Sequence, residues 1–160
     1  MSNFPNIEQV LQDGGDRIVL LMVDALQQKG AIFQGELARS IQSNVTSDND
    51  SMTLTIEMLE RGEFLDKGVN GTAKTVGTTP FQFRVGPPID PLRTWARVKG
   101  FNVYALRNSI AKNGIAPRNF IQPSLEEGIR WMESKFEEAG QKDIEATISL
   151  VGKESKIEVR

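Results

Sequence analysis

The sequence predicts an α+β fold: an N-terminal helix, a small antiparallel β-sheet formed by a hairpin at about 41–58, then three helices packed on it. Three observations lead there. "SMTLTIEM" alternates with period two, placing Met52, Leu54, Ile56 and Met58 on one face and Thr53, Thr55 and Glu57 on the other. The segments on either side carry apolar residues at three- and four-residue spacing. The strands cluster rather than alternating with helices, which argues against a parallel sheet.

In "PNIEQVLQDGGDRIVLLMVDALQQKG", Ile7, Val10 and Leu11, then Ile18, Leu21, Met22, Ala25 and Leu26 follow helical spacing. Gly14-Gly15 should weaken or bend this helix, and Gly30 suits its end. "QGELARSIQ" adds a short helical turn with Leu37 and Ile41 inward. "SIQSNVT", set off from the alternating strand by the turn-forming "SDND", supplies the other half of the hairpin. "LERGEFLDKG" returns to helix and ends at Gly68. "VNGTAKTVGTTP" has almost no apolar residues and reads as a flexible loop at about 69–80, mobile or ordered by a partner.

Asp90 reads as an N-cap with Pro91 in the first helical position of a helix that sets Leu92, Trp95 and Val98 on one side and ends at Gly100. Asn102 caps the next helix, which carries Val103, Leu106 and Ile110 and stops at Asn113-Gly114. In "NGIAPRNFIQPSLEEG", Gly114 releases that helix and Pro117 biases Ala116 towards extended backbone. Ser124 with Glu127 forms a capping box for a last helix with Leu125, Ile129, Met132 and Phe136 inward. Gly114, Pro117, Phe120, Ile121, Pro123, Ser124 and Glu127 thus make a structural corner, with Phe120 and Ile121 as core anchors and Arg118 facing a partner. "SKIEVR" reads as a short edge strand or part of a tail at about 152–160.

The 160 residues, 39% hydrophobic and 25% charged, suit one globular domain. The longest apolar run, Ile18 to Val23, is too short for a bilayer, and "MSNFPNIEQV" lacks the basic start and apolar block of a signal peptide. The chain is therefore expected to fold in a cytoplasm, with no membrane partner. It contains no cysteine and no histidine, which removes disulfides, thiolate metal sites and the usual neutral-pH general base. No catalytic residue, metal ligand or cofactor is assigned, and the expectation is a binding or structural protein rather than an enzyme.

The net charge of -2 conceals a pattern. Residues 1–90 carry 7 basic and 12 acidic side chains, whereas Pro91–Pro123 carries six basic ones (Arg93, Arg97, Lys99, Arg107, Lys112, Arg118) and no acid. Ser124–Ile148 then holds three basic against seven acidic residues. Such blocks are commonly solvated helix faces, but they also fit complementarity between copies of one chain or a basic surface facing nucleic acid. Lys67 and Lys74 join the six as candidate interface or channel residues.

Several local patterns fail their templates. "GVNGTAKTVGTT" lacks the glycine-lysine order of a phosphate-binding loop, and "DND" lacks the glycine and distant glutamate of a calcium loop. Glu133 and Glu137 lie one helical turn apart, but Glu126 with Arg130 marks that face as solvated. Trp95, Phe101, Tyr104 and Phe120 are interleaved with the basic residues, as in a stacking platform for single strands, although Trp95 and Leu92 also suit a core.

The collinear set "FQGELARSIQ", "MTLTIEMLERGEFLDKGVNG", "PFQFRV", "LRTWARVKGF" and "ALRNSIAKNGIAPRNFIQPSLEEG" resembles the tail-component family of tailed bacteriophages, found at the head-to-tail neck. The shared positions are Gly35, Leu37 and Ser40; Phe64, Lys67 and Gly68; and Gly114, Ile115, Pro117, Arg118, Phe120, Ile121 and Pro123, over about residues 30–140. The chain departs at Phe64-Leu65-Asp66-Lys67, where members often carry Tyr-Ala and a glutamate before the glycine. The resemblance implies a virion neck or tail-completion protein, assembled in the host cytoplasm without catalysis or cofactor. It implies a homo-oligomeric ring of about six or twelve copies, contacts with other neck, connector or tail proteins, and genomic DNA passing through the channel without sequence specificity. Two other functions remain from the residues alone. One is a nucleic-acid-binding module using the basic segment 91–123. The other is carboxylate chemistry at Asp66 with Glu60 or Glu63.

Overall fold

A computed structural model describes residues 4–30, 35–48 and 51–155, with side chains described through 147. It is α+β, as the periodicities predict. The order is α1 (Pro5–Gln28), α2 (Glu36–Ser40), β1 (Gln42–Ser47), β2 (Met52–Glu57), α3 (Arg61–Lys67), α4 (Ile89–Lys99), α5 (Val103–Asn113) and α6 (Ile121–Ser155). The chain divides into two compact units: Met1–Met22, Ile41–Glu57 and Pro123–Arg160 in the first, Val23–Ser40 and Met58–Gln122 in the second.

In the first unit β1 and β2 pair antiparallel, Gln42 opposite Glu57 and Ser47 opposite Met52, and the Asp48 N–H donates to the Ser51 carbonyl at 2.8 Å. Met52, Leu54 and Ile56 are half-buried while Thr53, Thr55 and Glu57 are exposed, so the alternation in the sequence is the alternation of the sheet. The core here contains Ile18, Met22, Ile41, Met132 and Ala139. Ile18 and Met22 lie one turn apart on α1, which is why they share its buried stripe.

α1 runs without interruption through Gly14-Gly15, where the sequence led us to expect weakening or a bend. Both glycines are buried because neighbours need the space. A Cβ on Gly15 would sit 2.8 Å from Leu54 Cδ1 and 2.8 Å from Ser43 Cβ, and one on Gly14 would collide with Met132. Gly128 of α6 repeats the device, since a methyl there would enter the Ile18 side chain. The conformational cost of glycine in a helix is thus offset by close packing.

α6 runs from Ile121 to Ser155. Residues 152–155 of the expected tail are therefore helical, and the remainder of "SKIEVR" lies outside the described residues. Met132 is buried and Leu125 and Phe136 half-buried, but Ile129, expected inward, is 46% exposed. The buried side of α6 is carried instead by Ser124, Gly128, Met132, Ala139 and Asp143, positions that share one helical face.

In the second unit Leu26, Val69, Ala96 and Phe120 are buried. The Ser40 hydroxyl ends α2 by donating to the Leu37 carbonyl at 2.7 Å, and accepts the Leu59 N–H at 3.1 Å. α4 begins at Ile89 after Pro88, two residues earlier than an Asp90 cap would give, so Pro91 falls third in the helix. A proline there loses no helical hydrogen bond, because the first N–H groups have no intrahelical acceptor. Ala96, not Val98, is its buried residue; Val98 is 68% exposed. Gly100 closes α4 in the left-handed region at φ 72°, and the Asn102 side chain accepts from the Tyr104 and Ala105 N–H groups to start α5.

Candidate functional site

The corner between α5 and α6 is built on the end of α3. Gly114 stops α5 at φ 76° and donates to the Ile110 carbonyl at 2.8 Å. Ile115 then exchanges hydrogen bonds with Val69 at 2.8 and 2.9 Å. The backbones come so close that a Cβ on Gly114 would lie 2.7 Å from the Gly71 nitrogen, and one on Gly68 2.8 Å from the Pro117 nitrogen. The Arg118 N–H donates to the Leu65 and Asp66 carbonyls, at 3.0 and 3.1 Å. Lys29 donates its ammonium to the carbonyls of Arg118 and Asn119.

Asn119 takes a left-handed conformation at φ 47°, and α6 begins two residues later. Its cap is the Asp66 carboxylate, whose Oδ1 accepts the Phe120 N–H at 2.6 Å and the Ile121 N–H at 2.9 Å. The Ser124 and Glu127 capping box is therefore corrected. Ser124 is buried inside α6, and Glu127 is exposed and pairs with Arg17 at 3.3 Å. Pro123 fits the first turn because it needs no N–H acceptor there. Phe120 is buried as expected, Ile121 half-buried. Asp66, one of the carboxylates weighed for chemistry, is thus engaged in capping, and Glu63 pairs with Lys67 at 2.6 Å.

The segment 69–80 is organised from within the chain. The N–H groups of Thr72, Ala73 and Lys74 donate to the Ala111 and Lys112 carbonyls, which the end of α5 leaves without helical donors. The Asn70 side chain accepts the Val76 N–H at 2.8 Å, and the Asn70 backbone bonds to Phe81 and Phe83. The Thr79 hydroxyl donates to the Gly68 carbonyl at 2.7 Å. Phe64 meets Phe81 edge-to-face, with ring centroids 4.6 Å apart. Around them lies an apolar groove of about 760 Å³ lined by Leu37, Phe64, Leu65, Val69, Phe81, Phe83 and Ile115, prolines 80, 87, 88 and 91, with Arg61 and Gln82 as its polar members. The sequence reading missed this groove; the alternation of Phe81 and Phe83 about Gln82 is the signal that could have found it.

The eight basic candidates separate into groups. Arg93, Arg97 and Lys99 are exposed on α4, and Arg93 and Arg97 line a 220 Å³ concavity with Ala96, Phe101 and Val103. Trp95 tilts against Phe101 at 5.6 Å. Arg93 pairs with Asp90 at 3.2 Å, both exposed. Arg107 is half-buried and donates from Nε to the Pro87 carbonyl at 3.0 Å. Lys74 and Lys112 adjoin through their backbones at the end of α5. Lys67 lies 6.0 Å from the Phe81 ring, and Arg118 is half-buried with its Nε enclosed. Arg118 is thus held in the corner by its backbone, while its buried Nε has no hydrogen-bond partner among the described residues.

On α6 the exposed Glu138 and Lys142 pair at 2.7 Å, which lowers the carboxyl pKa and raises that of the ammonium through the hydrogen bond and the charge attraction. Among the described residues no group of three or more His, Cys, Asp and Glu could hold a metal ion, and no helix is long and apolar enough to cross a membrane. No known protein family, curated protein or solved structure matches the chain.

Proposed function

We propose that this chain is a ring-forming neck or tail-completion subunit of a tailed-phage virion, joining the capsid connector to the tail around the DNA channel. The observation that carries the reading is the convergence of its family-resembling positions. Gly68 and the run that holds Gly114, Ile115, Pro117 and Phe120 lie more than forty residues apart in sequence yet meet in one hydrogen-bonded junction, with Leu37 and Phe64 lining the groove beside it. A pattern kept by a shared fold should consist of such positions. The opposed charge blocks support a head-to-tail contact, which closes into a ring when the rotation permits.

The test is particle morphology. Virions made without the protein should accumulate as separate heads and tails in negative stain, and supplying it should join them. Normal particles in its absence would overturn the reading.

The nucleic-acid-binding module has narrower support, because Arg107 donates to the Pro87 carbonyl and Arg118 is half-buried, which leaves Arg93 and Arg97, side by side on the α4 concavity, with exposed Lys99 on the same helix. Binding through them should weaken with salt at a log-log slope of about -0.9 per phosphate neutralised on duplex DNA.

A further inference from the structure

We infer that two surfaces of this chain are the complementary halves of one contact between successive copies: the basic, aromatic end of α4 on one copy and the acidic outer face of α6 on the next. The closed arrangement rests on the ring reading above; the contact itself does not.

The first surface combines cations with exposed apolar groups. Arg93 and Arg97 flank Phe101 around the 220 Å³ concavity, and Phe101 is 56% exposed. Scattered exposed apolar residues are ordinary, but a large aromatic beside two guanidinium groups is what interface centres favour. Among the described residues the guanidinium of Arg93 pairs with exposed Asp90 alone, an exchange that costs little.

The second surface is its counterpart. Ile129, Glu133, Glu137 and Ile144 are all exposed. At 100° per residue they fall within an arc of about 80°, on the side of α6 away from buried Met132 and Ala139. Glu133 and Glu137 make no ion pair among the described residues, and the two isoleucines bracket them. The spacings match as well: Arg93 and Arg97, like Glu133 and Glu137, are four residues apart, about 6 Å along a helix. A guanidinium ladder and a carboxylate ladder of equal pitch can pair side by side, while Phe101 meets the isoleucines. The two surfaces differ, so the contact is heterologous and leaves one of each free at the ends of every open assembly.

The test uses charge exchange in the full chain, read by sedimentation velocity over a range of concentration and salt. Arg93→Glu with Arg97→Glu, or Glu133→Lys with Glu137→Lys, should each weaken self-association by about tenfold or more, and all four changes in one chain should restore it. Circular dichroism checks folding, which these exposed sites should leave intact. Because the chain has no cysteine, Arg97→Cys and Glu137→Cys proteins give a second measurement. Mixed and oxidised, they should form far more crosslinked dimer than either alone. Self-association indifferent to both exchanges, or not restored by the fourfold variant, overturns this contact and leaves the ring reading standing. A protein monomeric throughout overturns the contact, and the ring is then judged by particle morphology. Single-stranded DNA binding lost with the basic pair alone, without any change in self-association, reassigns the α4 surface to nucleic acid and overturns the inference.

Discussion

Asp143, near the middle of α6, holds the start of α1 through Asn6. Its Oδ1 accepts the Asn6 backbone N–H at 3.1 Å and the Asn6 side-chain amide at 2.5 Å, while Oδ2 takes the Ile7 N–H at 3.0 Å. The residue is 2% exposed. Burial alone would raise the carboxyl pKa, but the Asn6 side-chain bond and the two backbone bonds outweigh it and leave the pKa lowered. A carboxylate here does for α1 what a local N-cap does elsewhere, using a residue from a distant helix.

Asp143→Ala should therefore cost about 1–2 kcal/mol, the range of a lost helix cap. The sign of its pH dependence follows from the lowered pKa. The carboxylate contributes fully above the unfolded-state value near 4, and its contribution fades as pH falls through the lower folded-state value. Urea denaturation of both proteins at neutral pH and at about pH 3 should show the difference shrinking in acid. A difference that grows in acid would refute the assignment.

Asp66→Ala should destabilise the chain by about 1–2 kcal/mol, because it uncaps α6 at Phe120 and Ile121. Glu127→Ala should cost no more than about 1 kcal/mol, since it breaks only an exposed pair with Arg17. Equal losses in thermal denaturation would restore the capping box. Amide exchange at Ile121 would report the fraying directly.

Three helical glycines should respond to alanine with different signs. Gly128→Ala drives a methyl into Ile18 and should destabilise by about 1–3 kcal/mol despite alanine's better helix propensity. Gly15→Ala meets Leu54 and Ser43 and should behave likewise. Gly140→Ala meets nothing within 4 Å and should stabilise by roughly 0.5–1 kcal/mol. Thermal melts of the three variants would decide whether the close approach in the first unit is as tight as its backbone implies.

Gly114→Ala should be more damaging than any of these, since it combines left-handed backbone at φ 76° with contact against the Val69–Gly71 backbone. Backbone cannot yield as a side-chain tip can. Little soluble protein is expected from this variant, whereas Gly100→Ala, also left-handed but with open space around it, should fold with a loss of about 1–2 kcal/mol.

What was legible in the sequence was local. The period-two run gave β2, Asn102 gave its own cap, and Gly100 and Gly114 gave their helix ends, because each acts through neighbours in the chain. What was hidden depended on distant partners. Asp66 caps a helix 54 residues away, a pairing no local motif announces, and Ser-x-x-Glu offered a plausible decoy. Gly14-Gly15 has the composition of a helix breaker and acts as a packing notch. Residues 69–80 look unstructured because their partners are backbone carbonyls at the end of α5, and carbonyls leave no trace in a sequence. Spacing set Val98 and Ile129 on the apolar sides of their helices, yet both are exposed: α4 turns Ala96 to the core, and on α6 Met132, also expected inward, is buried.

The bond from Asn6 to Asp143 spans 137 residues, and this fixes an order of events during synthesis. Gln122 completes the second unit, but the first unit needs the last segment of the chain as well as its beginning. At about 5–20 residues per second, α1 waits on the order of ten seconds for α6, with Ile18 and Met22 lacking their final neighbours. Contacts of such long range also slow folding after release. Ribosome-bound chains that have emerged to just past Gln122 should therefore protect the second unit from protease while the part of α1 before Val23 is still cut.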